Sequence, residues 1–332
     1  MNTRVREVDT QPFVSTGQLP PTGRVVQLVD EAYRLFRGDG EGEVSDVYPA
    51  LMRVSPDLFS ICVVNTNGAV HVAGDADVEF SIMSVSKPFV FALVCDRVGV
   101  DEVHDLIGAN ATGRAFNSLA AVEASPDGRT NPMVNSGAIA TTSLAPGANV
   151  AEKWRRLREG LSSFAGRDLS LNEEVFESAS QTNHRNQSIA QLLQTEGRIY
   201  MKPAEAVDLY TRQCSLNVTA RDLAAMGATL AGGGVNPITR KQVVSETACR
   251  HAMAVMITAG LYETSGDWLY DIGLPGKSGI GGGVVTVSPG KGGLGTFAPL
   301  LDEAGNSVKG QLVAKYLSQG LGFNLLASQP SH

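Results

Sequence analysis

Paired ligands are what this sequence lacks most clearly. Its four cysteines, Cys62, Cys95, Cys214 and Cys249, have no short spacings between them. That argues against a disulfide framework or a zinc site and leaves each as a small buried hydrophobe. The five histidines, His71, His104, His184, His251 and His332, also lie far apart, so no metal and no cofactor is expected. No apolar run reaches the roughly twenty residues needed to span a bilayer, which speaks against a membrane protein. Positive charge is not in excess either. The net charge is −7, and no basic cluster carries interleaved aromatics, so neither nucleic acid nor an anionic membrane is an expected partner. Residues Met1 to Gly23 mix Arg4, Arg6, Glu7 and Asp9 with Pro20 and Pro21 and lack the apolar centre of a signal peptide. They read as a loosely ordered tail, and the expected location is cytoplasmic.

What is present describes an ordinary globular chain of 332 residues, 43% hydrophobic and 18% charged, long enough for two domains or for one domain carrying an insertion. A helix fits Val25 to Phe36 by its apolar spacing, and Leu58 to Val64 and Ala69 to Ala73 read as a hairpin around Asn65-Thr66-Asn67-Gly68. Strand signals then almost vanish between residue 100 and residue 216. Helices fit Ala151 to Ala165, Asn186 to Leu193, and Pro203 to Cys214 with proline at a first helical position. Beyond that stretch, Thr219-Ala220-Arg221-Asp222 resembles a capping box, Ser245 caps a helix to about Ala259, strands fit Gly283 to Val287 and Gly293 to Phe297, and a last helix fits Gly310 to Leu317. The expected organisation is an α/β sheet domain over 24–100 and 217–332, with a helical domain, 101–216, inserted in it and the active cleft at the junction.

Chemistry concentrates in two segments. In Phe80-Ser81-Ile82-Met83-Ser84-Val85-Ser86-Lys87-Pro88, Ser84 and Lys87 stand three residues apart at a predicted helix start, where they share a face. Burial and the positive helix end both lower a lysine pKa, and a partly neutral Lys87 is a base that turns the Ser84 hydroxyl into a nucleophile. The second segment is Gly276-Lys277-Ser278-Gly279-Ile280, leading into a strand. A Ser-x-x-Lys followed by Lys-Ser-Gly is the arrangement of penicillin-recognising serine enzymes. Glycines at a strand edge let backbone N–H groups approach a carbonyl, so the N–H groups of Ser84 and Ile280 are the candidate oxyanion hole. A glycine-rich hairpin with no ligand is the alternative. Gly290-Lys291-Gly292-Gly293-Leu294-Gly295 also matches Gly-x-Gly-x-x-Gly, but Thr296-Phe297-Ala298-Pro299 follows in place of a helix, so this segment reads as a hairpin turn and not as a dinucleotide site.

Several further segments resemble the serine-dependent glutaminase family: Asn131-Pro132-Met133-Val134-Asn135-Ser136-Gly137, Arg185-Asn186, Asp208-Leu209-Tyr210 with Cys214-Ser215, Gly260-Leu261-Tyr262, and Gly305-Asn306-Ser307-Val308-Lys309-Gly310. The resemblance runs from about residue 25 to 320. It implies a β-lactamase/transpeptidase-like α/β fold, an antiparallel sheet flanked by helices with an inserted all-helical domain. It further implies hydrolysis of glutamine to glutamate and ammonia through an acyl-enzyme, and a homodimer or homotetramer. Ser84 is then the nucleophile and Lys87 its base, while Tyr262 relays a proton to the leaving ammonia. Tyr210 hydrogen-bonds near the nucleophile, Asn135 and Asn186 bind the amino-acid end of the substrate, and Ile280 offers its N–H.

Two positions depart from the family pattern. Where the family has Phe-x-Ser-Glu, this chain has Phe176-Glu177-Ser178-Ala179, so the carboxylate expected to meet the substrate ammonium is missing. A charge-assisted hydrogen bond is worth about 1.5–3 kcal/mol, a factor of roughly ten to over a hundred in binding. Glu177, two residues away, faces another direction on a helix. Where the family has Asp-Tyr-Ile-Pro, this chain has Asp46-Val47-Tyr48-Pro49, so Tyr48 is expected to point away from the substrate unless the loop shifts. Two alternatives therefore stand beside a glutaminase: an amidase for a different small amide, and a catalytically weak amino-acid-binding protein of the same fold.

Overall fold

The computed structural model describes residues 19–125 and 127–327, so most of the expected N-terminal tail lies outside the described residues. A five-stranded antiparallel sheet forms the centre, in the order Val70–Gly74, Ser60–Asn65, Gly292–Phe297, Gly283–Ser288, Gly276–Ser278. The first two strands are the predicted hairpin, with Cys62 opposite Val72, and the chain returns some two hundred residues later to pair Ile61 with Thr296. Side chains alternate across a strand, and the sheet uses both faces. Ile61 and Val63 join Val284 and Leu294 in a core covered by the helices Thr22–Phe36 and Val308–Gly320. Cys62 and Val64 face the other way, against Ala220, Ala224 and Ala228 of the helix Ala220–Ala231.

That second contact explains the Gly-x-Gly-x-x-Gly segment. A β-carbon on Gly293 would lie 2.3 Å from the Ala224 carbonyl oxygen, and one on Gly295 would lie 2.3 Å from that of Ala220. The helix backbone rests directly on the strand, which only glycine permits. Gly290, at φ +76°, forms the hairpin turn ahead of it, as the sequence predicts. The capping box is also present: Thr219 accepts from the Asp222 N–H while the Asp222 carboxylate accepts from the Thr219 N–H.

Between Val100 and Cys214 lie the helices Val100–Ile107, Ala120–Glu123, Asn135–Ser143, Val150–Ala165, Glu173–Thr182, His184–Thr195 and Pro203–Cys214, and this stretch contributes no strand to the five-stranded sheet. Its apolar side chains, among them Ile139, Leu161, Phe164 and Ile189, merge with Leu223, Met226, Val285 and Phe297 into one continuous core. Phe80 and Phe297 stack across this junction with ring centroids 4.0 Å apart.

One small pairing and one hydrogen bond fix the segment that carries Ser84 and Lys87. Phe80–Ser81 pairs antiparallel with Asn217–Val218, and the Ile82 N–H donates to the Leu216 carbonyl at 2.9 Å. The tight turn Met83–Ser86 that follows is thus tied to the end of the helical stretch before it runs into the helix Lys87–Val98, which carries proline in its first turn. No helix among the described residues is long and apolar enough to cross a membrane.

Candidate active site

Ser84 lies in that turn and is buried, with 7% of its surface accessible. The residue before it, Met83, has φ +48°. Only two other non-glycine residues among those described hold a positive φ, and one is Tyr262 at +55°. Backbone strain of this kind costs of order 1–3 kcal/mol and persists where surrounding structure imposes it. Here it is imposed from two sides. The pairing of Phe80–Ser81 holds the turn from below, and the glycine segment after Ser278 closes on it from above. A β-carbon on Gly279 would lie 3.1 Å from the Ile82 carbonyl oxygen and 3.3 Å from the Ser84 nitrogen, and one on Gly281 would lie 2.8 Å from the Ser81 carbonyl oxygen. The missing side chains let the Ile280 backbone lie beside the Ser84 turn.

Lys87 is almost fully buried and donates from Nζ to Asn135 Oδ1 at 2.8 Å. Burial brings its pKa down to about 8, with the nearby Cys214 opposing that shift. The same Asn135 oxygen accepts from the Tyr210 hydroxyl at 3.1 Å, and Asn135 Nδ2 donates to Asn186 Oδ1 at 2.9 Å. Asn135 is therefore the hub of the network, sitting at the start of a helix whose nine residues are all buried. The Tyr262 hydroxyl donates to the Ser278 carbonyl at 3.2 Å, and burial raises its pKa while its hydrogen bond to the Ser84 side chain opposes the rise. Tyr262 thus stays protonated at neutral pH.

Ser84, Asn135, Asn186, Tyr210 and Ile280 line one cavity of about 110 Å³, a volume for a small polar molecule. Lys87 reaches it through Asn135, and Tyr262 through Ser84. Ala179 also lines it and is buried, whereas Glu177 on the same helix is exposed and turned from it. Tyr48 corrects an expectation. It does not point away but lines the cavity together with Val47, and burial pushes its phenol up to about 12.

Three neighbours were not singled out as site residues from the sequence. Lys277 lies with Nζ 4.3 Å from the Tyr262 ring centroid and donates to the Ser278 carbonyl at 2.5 Å. Burial, with Lys87 nearby, holds its pKa well below the ordinary lysine value. Its motif marked the strand, but nothing in the spacing showed that Tyr262 would stack against it. Cys214 lies 3.8 Å from the Ser86 hydroxyl, its thiol pushed up by burial. Arg185 donates from Nε to the Asn117 carbonyl at the cavity wall at 2.8 Å.

A family model described as Glutaminase matches residues 42–326. The chain belongs to the glutaminase family. It is similar to "Glutaminase 2" of Yersinia pestis, 65% identical over 318 residues that cover 96% of this chain and 94% of that protein. A glutaminase of Colwellia psychrerythraea is 44% identical over 92% of this chain and 98% of its own length. Among solved structures, the probable glutaminase ybaS superposes with a TM-score of 0.91 at 42% identity, covering 93% of this chain and all of that one. Mglu in its glutamate form superposes with a TM-score of 0.85 at 38% identity, covering 94% of this chain and 71% of that one. The family's β-lactamase-like fold is the architecture described above, an antiparallel sheet flanked by helices.

Proposed function

We propose that this member of the glutaminase family hydrolyses L-glutamine to L-glutamate and ammonia through an acyl-enzyme on Ser84. The observation that carries the reading is a buried Lys87 with a pKa near 8, held by Asn135 one helical turn from a serine in a strained, glycine-packed turn. Neutral Lys87 takes the Ser84 proton as Oγ attacks the side-chain amide carbon. The developing oxyanion is met by the N–H groups of Ser84 and Ile280. Collapse expels ammonia, and Tyr262, a phenol that burial keeps protonated, passes it the proton. Water then cleaves the ester and restores Ser84. Asn135 and Tyr210 hold Lys87 in place, and Asn186 extends the network toward the substrate head group.

The glutamate-bound form of Mglu supports the product assignment by similarity. The family resemblance of the sequence implies a homodimer or homotetramer, and the composition of the N-terminal segment is the ground for a cytoplasmic location. The lack of strands among the described residues of 101–216 supports a division into a helical domain over that range and an α/β domain from 24–100 and 217–332. A reactive glutamine analogue tests the mechanism: the expected result is a covalent adduct on the Ser84 peptide, and complete inhibition with the adduct on another residue would overturn it.

A further inference from the structure

The cavity's electrostatics are one-sided. Arg185 is the only residue with a charged side chain among the described residues that line it, and no carboxylate does. Three acids outside the lining have partners of their own. Glu263 accepts from the Phe116 N–H, Glu174 pairs with Arg53, and Asp302 accepts from the Ala304 and Asn306 N–H groups and from Gln311. Three neutral amide acceptors of the wall are engaged as well. Asn135 Oδ1 takes both Lys87 and Tyr210, Asn186 Oδ1 takes Asn135, and Asn183 Oδ1 takes Gln187 Nε2 at 2.8 Å. An ammonium entering this cavity would lose water and meet no anion, and a cation left unpaired in such a place is costly. A carboxylate, by contrast, meets a guanidinium, its best-matched partner.

We propose that this site reads its substrate through the amide and the carboxylate and not through the α-ammonium. It therefore also hydrolyses ω-monoamides of dicarboxylic acids whose α-carbon is uncharged, with a kcat/KM comparable to that for glutamine. Ala179 sets this breadth, because it is the buried wall residue at which a longer acidic side chain would face the cavity. The inference rests on the amide-hydrolase reading above.

Ammonia release by the purified protein tests it with three amides: L-glutamine, the monoamide of glutaric acid, which lacks the ammonium, and 4-aminobutanamide, which lacks the carboxylate. The first two are expected within about tenfold of each other in kcat/KM, and the third about a hundredfold or more below them. Arg185→Gln is expected to lower the first two alike. Ala179→Glu is expected to shift the ratio toward glutamine by about tenfold or more. Glutamine preferred by more than about tenfold over the glutaric monoamide in the unaltered protein overturns the inference while leaving the amidase intact. Failure to hydrolyse any of the three overturns the amidase reading, and this inference with it.

Discussion

Lys87 Nζ and Asn135 Oδ1 are 2.8 Å apart in the protein interior, so the proposed base is positioned by a neutral amide and not by a carboxylate. A carboxylate at that distance would stabilise the ammonium form and raise its pKa, typically by 1–3 units. Asn135→Asp is therefore expected to move the rising limb of the kcat/KM profile to higher pH by roughly 1–3 units and to lower activity at pH 7. Initial rates of ammonia release between pH 6 and 10 check this, and an unshifted limb with lowered activity would mean that Lys87 is not the titrating base.

The buried lysine also bears on stability. Its folded-state pKa of about 8 lies below the ordinary value of 10.5, so between these values the unfolded chain binds more protons than the folded one. Stability from this group rises with pH across that window, and the penalty is fully present below pH 8. At neutral pH it amounts to about 3 kcal/mol by the free-energy equivalent of the pKa shift. Lys87→Met is expected to abolish activity yet melt higher than the unaltered protein at pH 7, with the difference narrowing toward pH 10. Thermal melts at the two pH values measure it.

Tyr262 donates to Ser278 and shares a hydrogen bond with Ser84, so removing its hydroxyl takes away a proton donor and leaves the ring in place. Tyr262→Phe is expected to reduce kcat by about 10²–10⁴ with KM changed little. Steady-state kinetics decide the point, and a loss expressed mainly in KM would make Tyr262 a binding residue instead.

Much of this fold is legible in residue patterns, because several elements carry local signals that tertiary packing then respects. Thr219 and Asp222 form the reciprocal cap, Ser245 caps its helix, and Pro203 opens one. The helix Asn135–Ser143 was not legible. It is buried on every side, so it has no apolar stripe, and Gly137, Thr141, Thr142 and Ser143 are poor helix formers. Gly137 is there because a β-carbon would meet the Asn131 carbonyl oxygen at 2.1 Å, where the turn just before the helix folds back onto its first residues, a contact that no apolar pattern records. At the site, residue spacing pointed to Ser84 and Lys87, since both lie in one helical turn. The ordering of Lys87, Tyr210 and Asn186 around Asn135 depends on three separate helices, and the placing of Tyr48 in the cavity wall depends on a loop that packs against the cluster of Met83, Val175 and Ile280.

The central claim is that Ser84 is the nucleophile. Ammonia release from L-glutamine by purified, folded Ser84→Ala protein tests it most directly. The account predicts release no faster than the uncatalysed background, with a circular dichroism spectrum like that of the unaltered protein. Robust release by the folded variant would contradict it.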